Sequence, residues 1–461
     1  MNRKEFLRRS VVGATLLGTS SLGYSRTSVA EIEAFLSSNK KQGQKHAVGM
    51  TCPPIETVRV GIIGLGMRGS DAVRRYIHIE GARVVALCEC RREKLDAAQE
   101  TLTKSGLSKA VEFFGDDAWM EMCRRDDIDL IYICTPWEQH TPQAVYAMKH
   151  GKHVAIEVPA ALTLKECWQL VDTCEETRRH CMMLENCCYD FFELTTLNMV
   201  QKGLLGEVVH AECAYIHDLR SLLFNKENGY YNMWRLRHNE KRTGNPYPTH
   251  GLGPVAQALN INRGDRMEYL TSMSTNQFGM SLYAIDKFGA ASPEAQTKYK
   301  RGDMNSTLIK TNAGKTILLQ HDVTSPRPYD RIHKLSGTKG YVQKYPSEQI
   351  AVEPNAHEFC KPEEFDRLMT EYEHPLSKQM KEQAQKVGGH GGMDFIMDYR
   401  LVYCLRNGLP LDQNVYDAAT WSSLVELTEL SVQKGSQPVP VPDFTRGNWN
   451  LLKGFQLTDA R

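Results

Sequence analysis

The chain has 461 residues, 24% of them charged, and a formal net charge of +1. That length points to two or three domains with ample core, and so even a charge balance argues against a nucleic-acid or anionic-membrane partner. The thirteen cysteines follow no zinc-like spacing and their odd number argues against a disulfide framework, so no metal site is expected.

Residues 1–25 read as a targeting segment and stand apart from the fold. Arg3, Lys4, Phe6, Leu7, Arg8 and Arg9 give a basic start, and the stretch from Ser10 to Gly23 is modestly apolar and rich in Gly and Ser. It is too short and too weakly apolar to be a stable membrane span. The Arg-Lys-x-Phe-Leu string is similar to a twin-arginine export signal with Lys4 in place of the second arginine, which predicts an exported, periplasmic protein. The alternative is a leader with no address. Residues 26–55 read as a linker ending around Pro53-Pro54.

From residue 56 to 187 the pattern alternates strands and helices. The β-branched run Val58-Arg-Val-Gly-Ile-Ile63 reads as a buried parallel strand. It ends in Gly64-x-Gly66-x-x-Gly69, with Met67 and Arg68 between the glycines, and a helical pattern follows. Gly64 suits the tight turn, Gly66 lets backbone approach a pyrophosphate, and Gly69 lets helix and strand pack closely. The anion would sit at the helix N-terminus. A second strand, Ala82 to Cys88, ends in Glu89, twenty residues beyond Gly69, where a carboxylate accepts from adenosine ribose hydroxyls and repels a 2′-phosphate. NAD is therefore expected, with Arg91 and Arg92 the argument for NADP. Further strands, Asp129–Cys134, Val154–Ile156 and Met182–Leu184, complete an α/β Rossmann domain with a doubly wound parallel sheet. Ligands lie beyond the carboxyl ends of such strands, which singles out Trp137, Glu138, Gln139, His140, Glu157, Val158, Glu185 and Asn186.

The remainder, 188–461, changes character. Val208–Ile216, Tyr269–Phe278, Met304–Thr311, Lys315–Asp322 and Arg331–Leu335 read as alternating strands without regular intervening helices. They predict a C-terminal α+β domain with a large, mainly antiparallel open sheet. Gly337-Thr-Lys-Gly340 reads as a turn between two strands, and residues 377–433 as helical around the loop Gly388-Gly-His390-Gly-Gly392.

With these residues in view, roughly residues 56–450 resemble the glucose–fructose oxidoreductase/inositol dehydrogenase superfamily. That superfamily usually carries Glu-Lys-Pro after a late Rossmann strand, the lysine assisting hydride chemistry; here the string is Glu157-Val158-Pro159. Other strings resemble glycoside hydrolase family 109, the NAD-dependent α-N-acetylgalactosaminidases: Trp137-Glu-x-His140, Glu185-Asn186-x-Cys-Tyr189, His217-Asp-Leu-Arg220, Tyr247-Pro-Thr-His250-Gly-x-Gly-Pro254, Arg327-Pro-Tyr329 and Gly389-His-Gly-Gly-Met-Asp394.

The resemblance implies release of terminal α-linked N-acetylgalactosamine from glycans, with NAD oxidising C3 of the sugar, elimination and water addition at C1, and return of the hydride. It places NAD contacts on Met67, Arg68, Glu89, Trp137 to His140, Glu157, Val158, Asn186 and Tyr247. It places sugar contacts on Tyr215, Arg235, Tyr247, Pro248, Thr249, His250 and Tyr329. Acid/base work falls to His250 first, then Tyr189 and Tyr247. Without the resemblance, His250 would read as a hydrogen-bonded structural residue and the tyrosines as packing. A sugar or polyol dehydrogenase, or a non-catalytic sugar-binding protein with structural NAD, are the competing functions. Self-association into a homo-oligomer is also expected of the superfamily.

Overall fold

The computed structural model describes residues 44–459; the expected export signal and the first part of the linker lie outside the described residues. The rest of the linker is irregular but packed: Ala47, Met50 and Cys52 are buried, and the Ala47 amide donates to the Tyr416 hydroxyl at 2.8 Å.

The first half runs β1 (Val58–Ile63), α1 (Met67–Tyr76), β2 (Ala82–Glu89), α2 (Arg92–Lys104), β3 (Val111–Phe114), α3 (Trp119–Cys123), β4 (Leu130–Ile133), α4 (Trp137–Lys149), β5 (His153–Ile156), α5 (Leu164–Thr177) and β6 (Cys181–Met183). The six strands pair in parallel in the order β3-β2-β1-β4-β5-β6. This is the doubly wound arrangement, and the expected fold class is borne out. Val58, Val60, Ile62 and all of β4 are fully buried, as the continuous apolar runs require. The strand that sequence reading missed is β3, an edge strand with one buried residue in four; an edge needs no apolar run.

The second half contains α6 (Phe191–Gln201), β7 (Val208–Ile216), α7 (Arg220–Leu223), α8 (Trp234–Lys241), α9 (Thr249–Ala258), β8 (Met267–Ser274), α10 (Gly279–Phe288), α11 (Pro293–Gln296), β9 (Asn305–Thr311) and β10 (Thr316–Asp322). It continues with β11 (Lys334–Gly337), β12 (Gly340–Gln343), β13 (Gln349–Val352), α12 (Pro362–Glu371), α13 (Pro375–Val387), α14 (Met393–Asn407), α15 (Val415–Gln433) and β14 (Val439–Pro440). The eight strands order as β13-β12-β11-β7-β10-β9-β8-β14, antiparallel except for the parallel pair β7 and β10. The open sheet is as expected.

The expectation that its strands lack intervening helices is corrected. Helices α7 to α11 fall between β7 and β9; α9 is buried nearly all round, so it shows no one-sided apolar stripe by which a helix is read, and it carries Gly251, Gly253 and Pro254 besides. The strand expected from Arg331 begins only at Lys334, because Ile332 and His333 take positive φ values of 63° and 44°. This turns Arg331 inward onto Asp190 and Glu193, at 2.7 and 2.5 Å.

Helix α14 lies late in the chain yet packs on the first sheet. Asp394 and Asp398, one turn apart on it, face Arg68 and Arg75 of α1: Arg68 Nη1 donates to Asp394 Oδ2 at 2.8 Å and Arg75 Nε to Asp398 Oδ2 at 2.7 Å. The Tyr132 hydroxyl of β4 donates to the second oxygen of Asp398 at 3.0 Å.

Two histidines at the far edge of the first sheet make the fold acid-sensitive. His153 Nδ1 accepts the His180 amide at 3.0 Å, and the rings lie 5.2 Å apart. Burial first, and nearby cationic groups second, push His153 down to about 4 and His180 to about 3. Both fold as neutral rings while the unfolded chain titrates them near 6.5, so the unfolded state binds more protons between these values. Their contribution is complete above about pH 6.5 and declines as pH falls toward 4 and then 3. The urea unfolding midpoint is expected to fall across that window, and His153→Asn to flatten the decline; a midpoint independent of pH there would refute this.

Candidate active site

The loop after β1 builds an anion cradle. Gly64 has φ +84°, and a Cβ on Gly69 would come 1.8 Å from the Gly64 carbonyl oxygen, so both positions demand glycine. A Cβ on Gly66 would meet only the Arg91 guanidinium, at 3.9 Å. Gly66 caps α1 with no side-chain hydrogen bond, and the first turn carries no acid. The helix N–H groups are left for an anion, which fits a pyrophosphate. Glu89, at the end of β2, lies over this loop: Oε2 accepts from the Leu65 amide at 2.7 Å and Oε1 from those of Cys90 and Arg91 at 2.9 and 3.1 Å. Arg92 is drawn away to Glu112 at 2.7 Å, and Arg91 lies over the Tyr231 ring. A carboxylate held at this place suits NAD rather than a 2′-phosphate. The residues present therefore fit the dinucleotide.

The other cradle residues fall at the ends of β4, β5 and β6. Glu157 accepts from Arg68 Nε at 2.7 Å, Val158 is buried beside it, and Asn186 Nδ2 donates to Asp394 Oδ1 at 2.5 Å. Met67 is half exposed at the mouth. Trp137 opens α4 and is buried against Tyr247, its ring stacked 5.7 Å away. The next three residues do different work. Glu138 pairs with His238 of α8 at 3.1 Å, which holds its carboxyl down at about 2. Gln139 is exposed. His140 is buried with both ring nitrogens on carbonyls, Pro159 at 2.7 Å and Thr135 at 2.8 Å. It clamps the strand ends together and does not open onto the cleft.

Beside the cradle, β7, α8 and α9 converge on one aromatic cluster. Pro248 and Thr249 are buried at the start of α9 and set His250 on its first turn. His250 Nε2 lies 3.1 Å from the Tyr247 hydroxyl, and Nδ1 lies 2.8 and 3.0 Å from the two oxygens of Glu185. Glu185 is completely buried; burial alone would raise it, yet the adjacent His250 holds its carboxyl below the usual range. In the neutral tautomer whose Nδ1–H donates to the carboxylate, Nε2 is left to accept from the Tyr247 hydroxyl.

Arg235 reaches this cluster from α8. Its guanidinium is 4.4 Å from the centre of the Tyr247 ring, 5.0 Å from Trp137 and 5.9 Å from Tyr215, within cation–π range of each. Burial pushes the Tyr247 hydroxyl well above its ordinary value and Tyr215 up to about 12, with Arg235 opposing both. Tyr215 also meets Tyr329 edge-on at 6.2 Å; Tyr329 is 41% exposed at the rim.

Of the three acid/base candidates, His250 and Tyr247 are brought together and Tyr189 is not. Tyr189 ends a short 3₁₀ turn, Asn186–Tyr189, that sends Asn186 toward Asp394 and Tyr189 the other way. Its hydroxyl, 1% exposed, donates to Asp412 at 3.2 Å, next to Arg400. That is a buried packing position, and the catalytic expectation for Tyr189 is withdrawn. Sequence reasoning missed Arg331, whose Nη1 donates to the Tyr329 hydroxyl at 3.3 Å and to Cys187 Sγ at 3.2 Å; no motif marks it. Among the described residues, Glu185, Cys187 and His250 bring potential metal-ligating atoms within 4.8 Å of one another. Those donors already serve each other and Arg331.

Comparison with known proteins matches the two halves separately. The sequence model "Glycosyl hydrolase 109, C-terminal domain" matches residues 189–451, and "Oxidoreductase family, NAD-binding Rossmann fold" matches 58–185. The chain is 55% identical over 422 residues to the alpha-N-acetylgalactosaminidase of Bacteroides fragilis, covering 91% of this chain and 99% of that one. It is also 55% identical over 406 residues to glycosyl hydrolase family 109 protein 2 of Phocaeicola vulgatus, covering 88% and 98%. Among solved structures, an oxidoreductase domain protein from Kribbella flavida superposes with a TM-score of 0.64 at 17% identity, covering 84% of this chain and all of that one. The scyllo-inositol dehydrogenase of Lactobacillus casei with bound NAD(H) and scyllo-inositol does so at 0.58 and 15%, covering 83% and 99%. These two share the fold. The matched model over the second half and the high identity along nearly the whole length together show that this chain belongs to glycosyl hydrolase family 109.

Proposed function

We propose that the protein is an α-N-acetylgalactosaminidase that works with NAD by oxidation, elimination, addition and reduction. The observation that carries this reading is the Glu185–His250–Tyr247 chain, with Tyr247 stacked on Trp137 at the mouth of the cradle. When bound, NAD supplies reversible hydride acceptance from the sugar. Gly64, Gly66, Met67, Gly69 and Glu89 would hold its pyrophosphate and adenosine ribose, with Arg68, Glu157 and Asn186 toward the other end.

The chain's own groups handle protons. Tyr247 meets the sugar hydroxyl and takes its proton as it passes its own to His250 Nε2. Glu185 stabilises the imidazolium that forms, and Arg235 stabilises the negative charge that builds on the Tyr247 oxygen while its proton moves to His250 and before the sugar proton replaces it. These buried groups act where water is excluded, so their charges are felt strongly. Val158 stands where a superfamily dehydrogenase carries lysine, which leaves this relay as the proton path. Tyr215, Tyr329, Pro248 and Thr249 shape the sugar side.

The test is to incubate the enzyme with an aryl α-N-acetylgalactosaminide in deuterated water. Cleavage with deuterium at C2 of the released sugar, and no net NADH, is expected. Cleavage without C2 exchange that persists after cofactor stripping would overturn the reading. Steady NADH from free sugar without cleavage would instead assign a dehydrogenase.

The same proposal extends to a division at about residue 187, between an NAD domain and a substrate domain. It also extends to export through the basic, twin-arginine-like start, and to a homo-oligomer. Tyr269, Met273 and Leu308 are exposed on one face of the second sheet, apolar surface of the kind that pairs subunits. Among the described residues no helix is long and apolar enough to cross a membrane.

A further inference from the structure

Arg91 stands at the cradle with its hydrogen-bonding capacity unspent. It is the N-cap residue of α2, and its amide donates to Glu89 Oε1 at 3.1 Å. Its guanidinium makes no hydrogen bond to any described residue: the side chain is 24% exposed, and Nε is buried with no hydrogen-bond partner, 3.6 Å from Glu89 Oε1. Arg91 Nη2 would lie 3.9 Å from a Cβ on Gly66, beside the glycine at which backbone approaches a pyrophosphate. A guanidinium offers five N–H donors, and withdrawing them from water without acceptors is costly. What holds the group there comes from the other half of the chain. Its central carbon lies 4.7 Å from the centre of the Tyr231 ring. Tyr231 opens the 3₁₀ turn Tyr231–Met233, in which Asn232 and Met233 take φ values of 50° and 49°. Left-handed backbone is strained for a methionine, and such strain gathers at ligand clamps and active sites. The two neighbouring tyrosines do different work. The Tyr230 hydroxyl accepts from Arg235 Nη1 at 2.7 Å on the sugar side, while Tyr231, 45% exposed, meets Arg91 on the cofactor side.

We propose that Arg91 is a ligand of the dinucleotide's pyrophosphate, and that Tyr231 is a positioning residue that caps the guanidinium over it. A pyrophosphate is anionic and supplies the acceptors that the arginine's donors lack. Glu89 next to it takes the ribose hydroxyls and repels a 2′-phosphate from the same arginine. Tyr231 lends its ring face, which attracts the cation and covers one side of it from water. The clamp closes onto the cofactor from the second half of the chain, through the turn whose preceding tyrosine holds Arg235. It deepens the proposed reading of the cradle and rests on it.

The experiment follows NAD loss from the full-length protein purified with its cofactor. Samples are diluted, desalted at timed intervals and extracted with acid, and the NAD retained is measured by chromatography. Arg91→Ala is expected to lose NAD about tenfold faster, the scale of one hydrogen bond to a charged group. Tyr231→Ala should lose it about threefold faster, the scale of an exposed cation–π contact, whereas Tyr231→Phe keeps the ring and the wild-type rate. The double variant should match Arg91→Ala alone, because Tyr231 acts through the arginine. A melting curve for each variant shows that the fold is kept. Equal rates for wild type and Arg91→Ala would overturn the clamp and leave the proposed function standing. Effects that multiply in the double variant would overturn the positioning role of Tyr231. A wild-type protein that never carries a dinucleotide would overturn both the clamp and the proposed function.

Discussion

Replacing His250 with alanine is expected to lower kcat on an aryl α-N-acetylgalactosaminide by about a thousandfold, within the range a positioned acid/base supplies, while NAD stays bound. His250 links Tyr247 to Glu185, at 3.1 Å on one side and 2.8 Å on the other. Without the ring, the Tyr247 proton has no acceptor, and the hydroxyl already titrates well above its ordinary value through burial. The companion Glu185→Gln separates two effects. Glutamine still accepts Nδ1–H and keeps the tautomer, but it does not stabilise an imidazolium, so its loss should be smaller and fall on kcat. Tyr329→Phe, at the exposed rim, should act mainly on KM. A kcat for His250→Ala close to that of the unsubstituted enzyme would remove His250 from the mechanism, and so would an equal effect of all three substitutions.

The second large effect concerns stability. Asp398→Ala is expected to lower the unfolding free energy by about 3–5 kcal/mol, the cost of leaving one partner of a buried ion pair alone. Arg75 and Asp398 are both almost fully buried and meet at 2.7 Å. Asp394 stands 3.6 Å from the same guanidinium, which offsets part of the loss but not the missing hydrogen bonds from Arg75 Nε and Tyr132. The double variant Arg75→Met/Asp398→Leu should recover much of the loss, because apolar side chains of similar volume replace buried pairs at little cost. Urea denaturation followed by tryptophan fluorescence measures both. A single variant as stable as the wild type, or a double variant worse than the single, would show that this pair does not join α14 to the first sheet as described.

The linear sequence determined the elements whose physics is local. Val58–Ile63 could only be a buried strand, and the turn after it needs glycine at 64 and 69 because a Cβ would strike backbone. Glu89 follows at the distance that one βαβ crossover sets. The same locality made Tyr247-Pro-Thr-His250 legible, since Pro248 and the first turn of α9 hold the tyrosine and histidine three residues apart and within hydrogen-bond reach. Resemblance added the sugar-side tyrosines and Arg235, and the cluster around Tyr247 brings them together.

What only the tertiary structure decided is which side chains face one another across long stretches of chain. Tyr189 sits in as suggestive a string as His250, yet one 3₁₀ turn sends its hydroxyl to Asp412. His140 keeps its place in the motif but spends both nitrogens on backbone carbonyls. Arg331 carries no local signal and Asp394 only its place in a family-like string, because their partners lie 138 residues away at Glu193 and 326 residues away at Arg68. A buried charge is defined by the partner that repays its desolvation, and that partner is chosen by how helices and sheets pack, which no window of neighbouring residues contains.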